Sequence, residues 1–112
     1  MHAELLRIYL SERDRAEGQP LWQAIVLAAR DAGLSGATVL RGPLGFGRSS
    51  RLHTARILDL SADLPVVVEI IDSAENIERF LPVLGRLAPE ELVTVEPIRI
   101  VQGRVRGGDQ GD

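Results

Sequence analysis

The amino-acid sequence predicts an α+β domain of the ferredoxin-like βαββαβ type, in which two helices cover one face of a four-stranded antiparallel sheet. Two segments have helical periodicity, and a β-branched segment stands before and after each of them. The length of 112 residues suits one domain with a two-layer core. We expect this domain to span residues 3–103 and to be followed by a flexible, glycine-rich tail over residues 104–112.

The first half of the chain predicts a strand, a helix and a second strand. Residues 5–10 alternate with the two-residue period of a strand, and a polar loop follows. The loop ends at Pro20, a residue favoured in the first turn of a helix. Apolar residues then recur every three or four positions over residues 21–32, and Gly33 ends the helix. The β-branched and apolar residues 36–40 follow as the second strand.

The second half repeats this order. Residues 64–72 form an almost continuous apolar run, which is typical of a central strand paired on both edges. Ser73 is a suitable N-cap for the helix that follows, and Pro82 is expected to kink or shorten that helix. Residues 92–101 form the last strand, in which Pro97 predicts an edge position or a bulge.

The predicted sheet has apolar residues on both faces. Val66, Val68 and Ile70 cannot point to the same side as Val67 and Ile71, because side chains alternate along a strand. Two helices cover only one side, so the other would expose an apolar patch. We therefore expect other copies of the chain to cover the second face in a homo-oligomer.

Composition excludes several classes of function. The net charge of −3 and the four aromatic residues disfavour a nucleic-acid-binding surface. There is no cysteine, which excludes thiolate chemistry, and no lysine, which excludes Schiff-base chemistry and a Walker-type phosphate loop. No apolar run approaches the length of a membrane helix, and residues 1–10 lack the pattern of a signal peptide. A cytoplasmic protein without direct membrane insertion is expected.

The segment 43–63 is the main candidate for function, because a connection of this length in so small a domain is usually functional or mobile. Its glycines allow the backbone to approach a ligand closely, and consecutive N–H groups there can cradle an anion. Arginine suits the bidentate recognition of phosphate or carboxylate. A tight turn on a solvated loop is the competing interpretation. The predicted ligand-binding residues are Arg41, Gly42, Gly45, Phe46, Gly47, Arg48, Arg51 and His53.

These residues belong to a wider pattern that resembles a known superfamily. The run 45–48 after a Thr-Val strand is similar to the start of the T-loop in PII nitrogen-regulatory proteins, and the whole pattern is closer to a PII-like family catalogued as a domain of unknown function. The resemblance covers about residues 3–103. It rests on residues 8–10, Gly18, residues 20–21, 36–39, 41–42 and 45–47, His53, residues 60–61, 63–65 and 69–70, and Asp72.

The resemblance implies a homotrimer with effector sites in its inter-subunit clefts, where PII proteins bind adenine nucleotides. We expect Arg41 and Arg48 to hold the phosphate, Gly45 and Gly47 to donate backbone N–H groups, and Phe46 to pack beside the ligand. The 43–63 loop would then signal to a membrane transporter or an enzyme partner. Two departures matter. The chain has no lysine for the phosphate-binding roles that lysines have in PII proteins, and its loop lacks the tyrosine that some of them uridylylate.

Two other classes stay open. The first alternative is a metal-responsive or structural trimer resembling the divalent-cation-tolerance proteins, with His53 as the candidate ligand. The second is a small enzyme, such as a ferredoxin-like oxygenase or isomerase, although no convincing acid–base set is found and no catalytic residue or metal site is predicted. Carboxylates considered for such a set are Asp59, Asp63, Glu69 and Asp72. Glu69 is equally suited to pair with an arginine across a subunit boundary.

Overall fold

The computed structural model describes residues 1–46, 52–54 and 64–106, and all structural statements below concern these residues. Their architecture is a four-stranded antiparallel sheet with two helices, which confirms the predicted α+β, ferredoxin-like fold. In chain order the elements are β1 (His2–Ser11), β2 (Arg15–Ala16), β3 (Gln19–Pro20), α1 (Leu21–Asp31), β4 (Thr38–Arg41), β5 (Leu44–Phe46), β6 (Leu52–Thr54), β7 (Pro65–Asp72), α2 (Ala74–Leu87) and β8 (Leu92–Arg99).

The main sheet has the strand order β4-β7-β1-β8, and every neighbouring pair is antiparallel. Strand β7 lies inside the sheet, as its apolar run predicts. Strand β8 lies at an edge of the described sheet, as Pro97 predicts. Proline is tolerated at an edge because its missing N–H does not have to pair with a further strand. Strand β1 is longer than the predicted residues 5–10, because it continues its pairing with β8 as far as His2.

The core lies between the helices and the face of the sheet formed by Leu6, Ile8, Val66, Val68 and Ile70, all of which are buried. Each helix contributes the stripe that its periodicity predicts. Leucine, isoleucine and valine fill most of this layer, because the chain has so few aromatic residues. The buried helical residues are Leu21, Ala24, Ile25 and Ala29 from α1 and Ile77, Phe80 and Leu84 from α2.

Local signals decide where the helices begin and end. The Ser73 hydroxyl accepts the backbone N–H of Asn76 at 3.1 Å, which is the predicted N-cap of α2. Gly33 follows α1 with a φ of 80°, a conformation that favours glycine. Pro82 does not end its helix, since α2 continues through it to Leu87. Neither helix in the described part of the chain is long and apolar enough to cross a membrane.

Two segments predicted as plain loops contain short antiparallel ribbons. Strands β2 and β3 form a hairpin whose central residues, Glu17 and Gly18, have φ values of 52° and 80°. Two positive φ values are typical of a type I′ turn, which matches the twist of paired strands. Strands β5 and β6 form a second ribbon within the predicted 43–63 loop. That segment therefore begins as a paired structure rather than as an irregular connection.

The second face of the sheet, which we call the open face, carries neither of the two helices of the described chain. Its partly exposed apolar residues lie in register across the four strands, and they agree with the predicted bare face. They are Leu5, Tyr9, Leu40, Val67, Ile71 and Leu92.

Residues 100–106 return toward one end of the open face. The Ile100 N–H donates to the Met1 carbonyl at 2.8 Å, and the Arg106 N–H donates to the Ser35 hydroxyl near the opposite edge of the sheet. Val105 is only 5% exposed. The packed part of the chain thus reaches beyond residue 103, whereas residues 107–112 of the predicted tail lie outside the described residues.

Candidate functional site

The segment 43–63 leaves and rejoins the sheet at neighbouring points. The Gly42 N–H donates to the Pro65 carbonyl at 2.8 Å, and the Glu12 N–H donates to the Leu64 carbonyl at 2.9 Å. These two bonds connect the start of the segment, its end and the chain just after β1. We call this cluster the loop base, and it comprises Glu12, Trp22, Arg41, Gly42, Gly45, Leu64 and Pro65.

Two of the predicted glycines in the loop base are explained by their contact with Pro65. A Cβ atom at Gly42 would lie 3.1 Å from Pro65 Cγ, and a Cβ at Gly45 would lie 3.3 Å from the same atom. Both distances are shorter than ordinary van der Waals contact, so larger residues would push the proline away. The Gly42 N–H is already bonded to the Pro65 carbonyl, so it cannot serve an anion in this conformation.

Arg41 is the charged centre of the loop base. Its Nε donates to Glu12 Oε1 at 2.7 Å, and its Cζ lies 5.4 Å from the centre of the Trp22 ring. The second contact is a cation–π interaction, which holds a guanidinium over an aromatic face. The Arg41 side chain is still 45% exposed, so solvent and solutes reach it. Trp22 contacts Arg41 as well as the core, a role that helical periodicity alone does not indicate.

The other predicted ligand-binding residues are only partly described. Phe46 lies on β5 and is 69% exposed. The backbones of Gly45 and His53 are paired across the β5–β6 ribbon. Gly47, Arg48 and Arg51 lie outside the described residues, as does the His53 side chain. The structure therefore brings Arg41, Gly42 and Gly45 together, and the membership of the other residues stays a prediction.

A groove of about 510 Å³ lies on the open face and has no counterpart in the sequence-based prediction. Thr38, Glu69 and Ile71 line its sheet side, and residues 102–105 line the opposite side together with Ile100. Both polar and apolar groups contribute to it. Sequence reasoning missed the groove because part of one wall, Arg104 and Val105, lies in the segment 104–112 that the glycine-rich composition placed in a flexible tail.

Glu69 belongs to a charged cluster at the middle of the open face. Its Oε2 accepts a hydrogen bond from Arg7 Nε at 3.0 Å, and Arg7 Nη1 donates to Glu96 Oε1 at 2.6 Å. The hydrogen bond that Arg7 donates to Glu69 raises the pKa of Arg7 above its ordinary value. Desolvation opposes this effect and Glu96 reinforces it, so the guanidinium keeps its charge. The partner of Glu69 in this structure is thus an arginine of its own chain.

Among the described residues, Asp72 does not form an acid–base pair with Glu69, because its carboxylate is engaged elsewhere. Asp72 is fully buried and accepts hydrogen bonds from the Ser35 and Ser73 N–H groups and the Asn76 side chain. Such a carboxylate organises the surrounding backbone. Asp59 and Asp63 lie outside the described residues. The described residues contain no group of three or more histidine, cysteine, aspartate or glutamate side chains arranged to hold a metal ion.

Comparison with known sequences assigns the chain to a family. The sequence profile of the DUF190 family, described as Uncharacterized ACR, matches residues 3–100. The chain belongs to the DUF190 family. A UPF0166 protein of Aquifex aeolicus is 38% identical over 99 residues, covering 88% of this chain and 92% of that relative. A UPF0166 protein of Methanocaldococcus jannaschii is 42% identical over 82 residues, covering 73% and 75% of the two chains.

Solved structures show that this DUF190 chain shares its fold with PII-like proteins. CPII of Thiomonas intermedia K12, a nitrogen regulatory PII-like protein solved with ADP, AMP and bicarbonate, superposes with a TM-score of 0.69 at 14% identity over 91% of each chain. CutA from Xylella fastidiosa superposes with a TM-score of 0.54 at 13% identity, over 90% of this chain and 86% of that one. The resemblance to a PII-like domain of unknown function is therefore confirmed.

Proposed function

We propose that this protein is a PII-like regulatory module that binds a small anionic effector, with an adenine nucleotide as the first candidate. The effector would bind at clefts between the subunits of a cytoplasmic homotrimer, and the 43–63 loop would transmit its presence to a partner protein. We place the protein among binding proteins rather than enzymes, because Glu69 and Asp72, the described carboxylates considered for an acid–base pair, are engaged in structural contacts.

The observation that carries the proposal is the position of Arg41. This arginine stands at the foot of the segment that the sequence marks as functional, and its side chain is still 45% exposed. A guanidinium held over an aromatic ring is already oriented, so less side-chain freedom is lost when it binds a phosphate. Arg48 and Arg51 would add positive charge to the same anion, and Gly47 would supply a backbone N–H.

The open face supports the proposed trimer. Leu40 is 48% exposed and Leu92 is 64% exposed, although both lie on a face with apolar neighbours in register. An apolar sheet face without a helix is a common site of subunit contact. A second or third copy over this face would also stand beside the groove lined by Thr38 and Glu69. That groove would then lie at a subunit boundary, where the effector clefts are proposed.

The first experiment measures thermal stability and nucleotide affinity on the same preparation of the full chain. We expect ADP or ATP to raise the melting temperature of the wild type, because a ligand at a hundredfold excess over its Kd contributes about 2.7 kcal/mol. Arg41→Ala should weaken the binding of that nucleotide without a large change in the melting temperature of the free protein.

Three results would contradict parts of the proposal. An Arg41→Ala variant that binds as tightly as the wild type would remove Arg41 from the site. A monomeric mass near 12.2 kDa in solution would contradict the trimer. A stability increase with divalent metals and none with nucleotides, lost in His53→Ala, would support the metal-responsive alternative instead.

A further inference from the structure

We propose that Glu12 is a built-in competitor for Arg41, so that its carboxylate occupies the position of the effector's anionic group until the effector arrives. This inference rests on the proposed function, because it assumes that an anion binds Arg41. It adds a regulatory contact in which the free protein neutralises its own binding arginine. Glu12 and Arg41 are 29 positions apart in the sequence, so the fold brings them together.

The geometry of the ion pair supports the competition. Glu12 Oε1 lies 2.7 Å from Arg41 Nε, which is the distance of a strong charge-assisted hydrogen bond. Arginine recognises phosphate or carboxylate with its planar donor fork, and one edge of that fork includes Nε. An anion that takes this edge must displace the Glu12 carboxylate. The two anions cannot share the same donor at full strength.

The exposure of the pair makes the exchange feasible. The Glu12 side chain is 30% exposed and the Arg41 side chain 45% exposed, so an incoming anion can reach the pair without unfolding the core. An ion pair in contact with water contributes little to stability. Its loss therefore costs the free protein little, and a better ligand for Arg41 can replace it.

Trp22 keeps Arg41 in place during this exchange. Its ring lies 5.4 Å from Arg41 Cζ, and Glu12 is not a partner in this contact. Trp22 itself packs against the hydrophobic core, which limits its movement. The guanidinium can thus change its anionic partner while staying over the same ring. We assign Trp22 as a positioning residue for Arg41.

Glu12 also connects the exchange to the end of the 43–63 segment. Its backbone N–H donates to the Leu64 carbonyl at 2.9 Å, and Leu64 precedes the proline that packs against Gly42 and Gly45. Glu12→Gln and Glu12→Ala both keep the N–H that donates this bond, because it belongs to the backbone. A side-chain variant of Glu12 therefore tests the competition alone.

The test compares the affinities of ADP and ATP for Glu12→Gln and the wild type by calorimetry. Glu12→Gln removes the competing charge and keeps the shape, so we expect roughly two- to fivefold tighter binding, the range that an exposed ion pair supports. Glu78→Gln is the matched control, because it changes the net charge equally at an exposed position on α2. Its affinity should equal that of the wild type.

Further variants separate competition from other effects. The gain of nucleotide affinity should disappear when Glu12→Gln is combined with Arg41→Ala, because the Glu12 carboxylate competes only for Arg41. Trp22→Ala should weaken binding, and Trp22→Phe should restore part of it, since a phenyl ring retains a weaker cation–π contact. Should Glu12→Gln fail to fold by circular dichroism, Glu12→Ala serves as the second variant with the same expectation.

The outcomes distinguish this inference from the proposed function. Equal affinity of wild type and Glu12→Gln overturns the competition and leaves nucleotide binding intact. An equal gain of affinity in Glu78→Gln would assign the effect to net charge and would also overturn the competition by Glu12. Absence of binding in every variant overturns both the inference and the nucleotide proposal. Binding by Glu12→Gln that is tighter than in the wild type and the control supports both.

Discussion

The Asp72 carboxylate accepts the backbone N–H of Ser35 at 2.8 Å, although 37 positions separate the two residues in the chain. Asp72 closes β7, and Ser35 lies between α1 and β4. The same carboxylate accepts the Ser73 N–H at 2.7 Å and the Asn76 amide at 2.9 Å. One buried side chain thus connects the start of α2 to the segment that leads into β4.

Replacing Asp72 should therefore destabilise the whole domain. Asp72→Ala leaves several buried donors without an acceptor, and hydrogen bonds to a charged group contribute about 1.5–3 kcal/mol each. We expect the free energy of unfolding to fall by about 3 kcal/mol, measured by urea denaturation. Asp72→Asn should lose less, because its carbonyl oxygen still accepts. A loss below about 1 kcal/mol in Asp72→Ala would contradict this role.

A side chain at Gly42 should destabilise the loop base. Because a Cβ there would lie 3.1 Å from Pro65 Cγ, Gly42→Ala should reduce stability by about 1–2 kcal/mol through overpacking. The matched control is Gly36→Ala, since a Cβ at Gly36 meets no atom within 4 Å. Thermal denaturation of both variants measures the difference. Equal stabilities of the two variants would show that Pro65 can move aside without a loss of stability.

Leu40 provides a test of the open face as a subunit interface. Leu40→Arg places a charge where the proposed trimer would bury an apolar side chain, so we expect the variant to be monomeric in analytical ultracentrifugation. Gln23→Arg is the control, because Gln23 is exposed on α1, on the side of the sheet opposite the open face. The control should keep the mass of the wild type. A Leu40→Arg variant of unchanged mass would place the interface elsewhere.

The charged cluster on the open face should contribute to stability in a salt-dependent manner. Arg7→Ala removes the cation shared by Glu69 and Glu96, and the remaining carboxylates lie on the same face. We expect a lower melting temperature than in the wild type, with a difference that shrinks at high salt. Arg79→Ala is the comparison, because Arg79 pairs with Glu75 at a more exposed site. Its effect should be smaller than that of Arg7→Ala.

Much of the fold could be predicted from local chemistry. The three-to-four-residue spacing of apolar residues predicted α1, and the Ser73 N-cap and the stripe through Phe80 predicted α2. The continuous apolar run in β7 predicted an inner strand, and Pro97 predicted an edge. These signals are readable because helix and strand periodicity, capping and proline geometry depend on residues within a few positions of one another.

The short ribbons were harder to predict. Strands β2 and β3 have two residues each, too few for a period to show, and the β5–β6 ribbon joins residues on either side of a polar stretch. The pair Glu17-Gly18 is a weaker sequence signal for a type I′ turn than Asn-Gly or Asp-Gly, because its first residue is a glutamate. Of the eight predicted ligand-binding residues, Arg41, Gly42 and Gly45 meet in the described loop base, and the roles of all eight stay predictions.

Contacts between distant residues were decided by tertiary structure alone. Sequence reasoning proposed a ligand for Arg41 but not Glu12 as its present partner, and it offered Glu69 a partner from another subunit when Arg7 of the same chain stands opposite it. Strand register and the end of a loop bring such residues together, and neither follows from composition. The sequence therefore determines what kinds of group each side chain can bind. Its actual partner depends on which groups the folded chain places within about 3 Å of it.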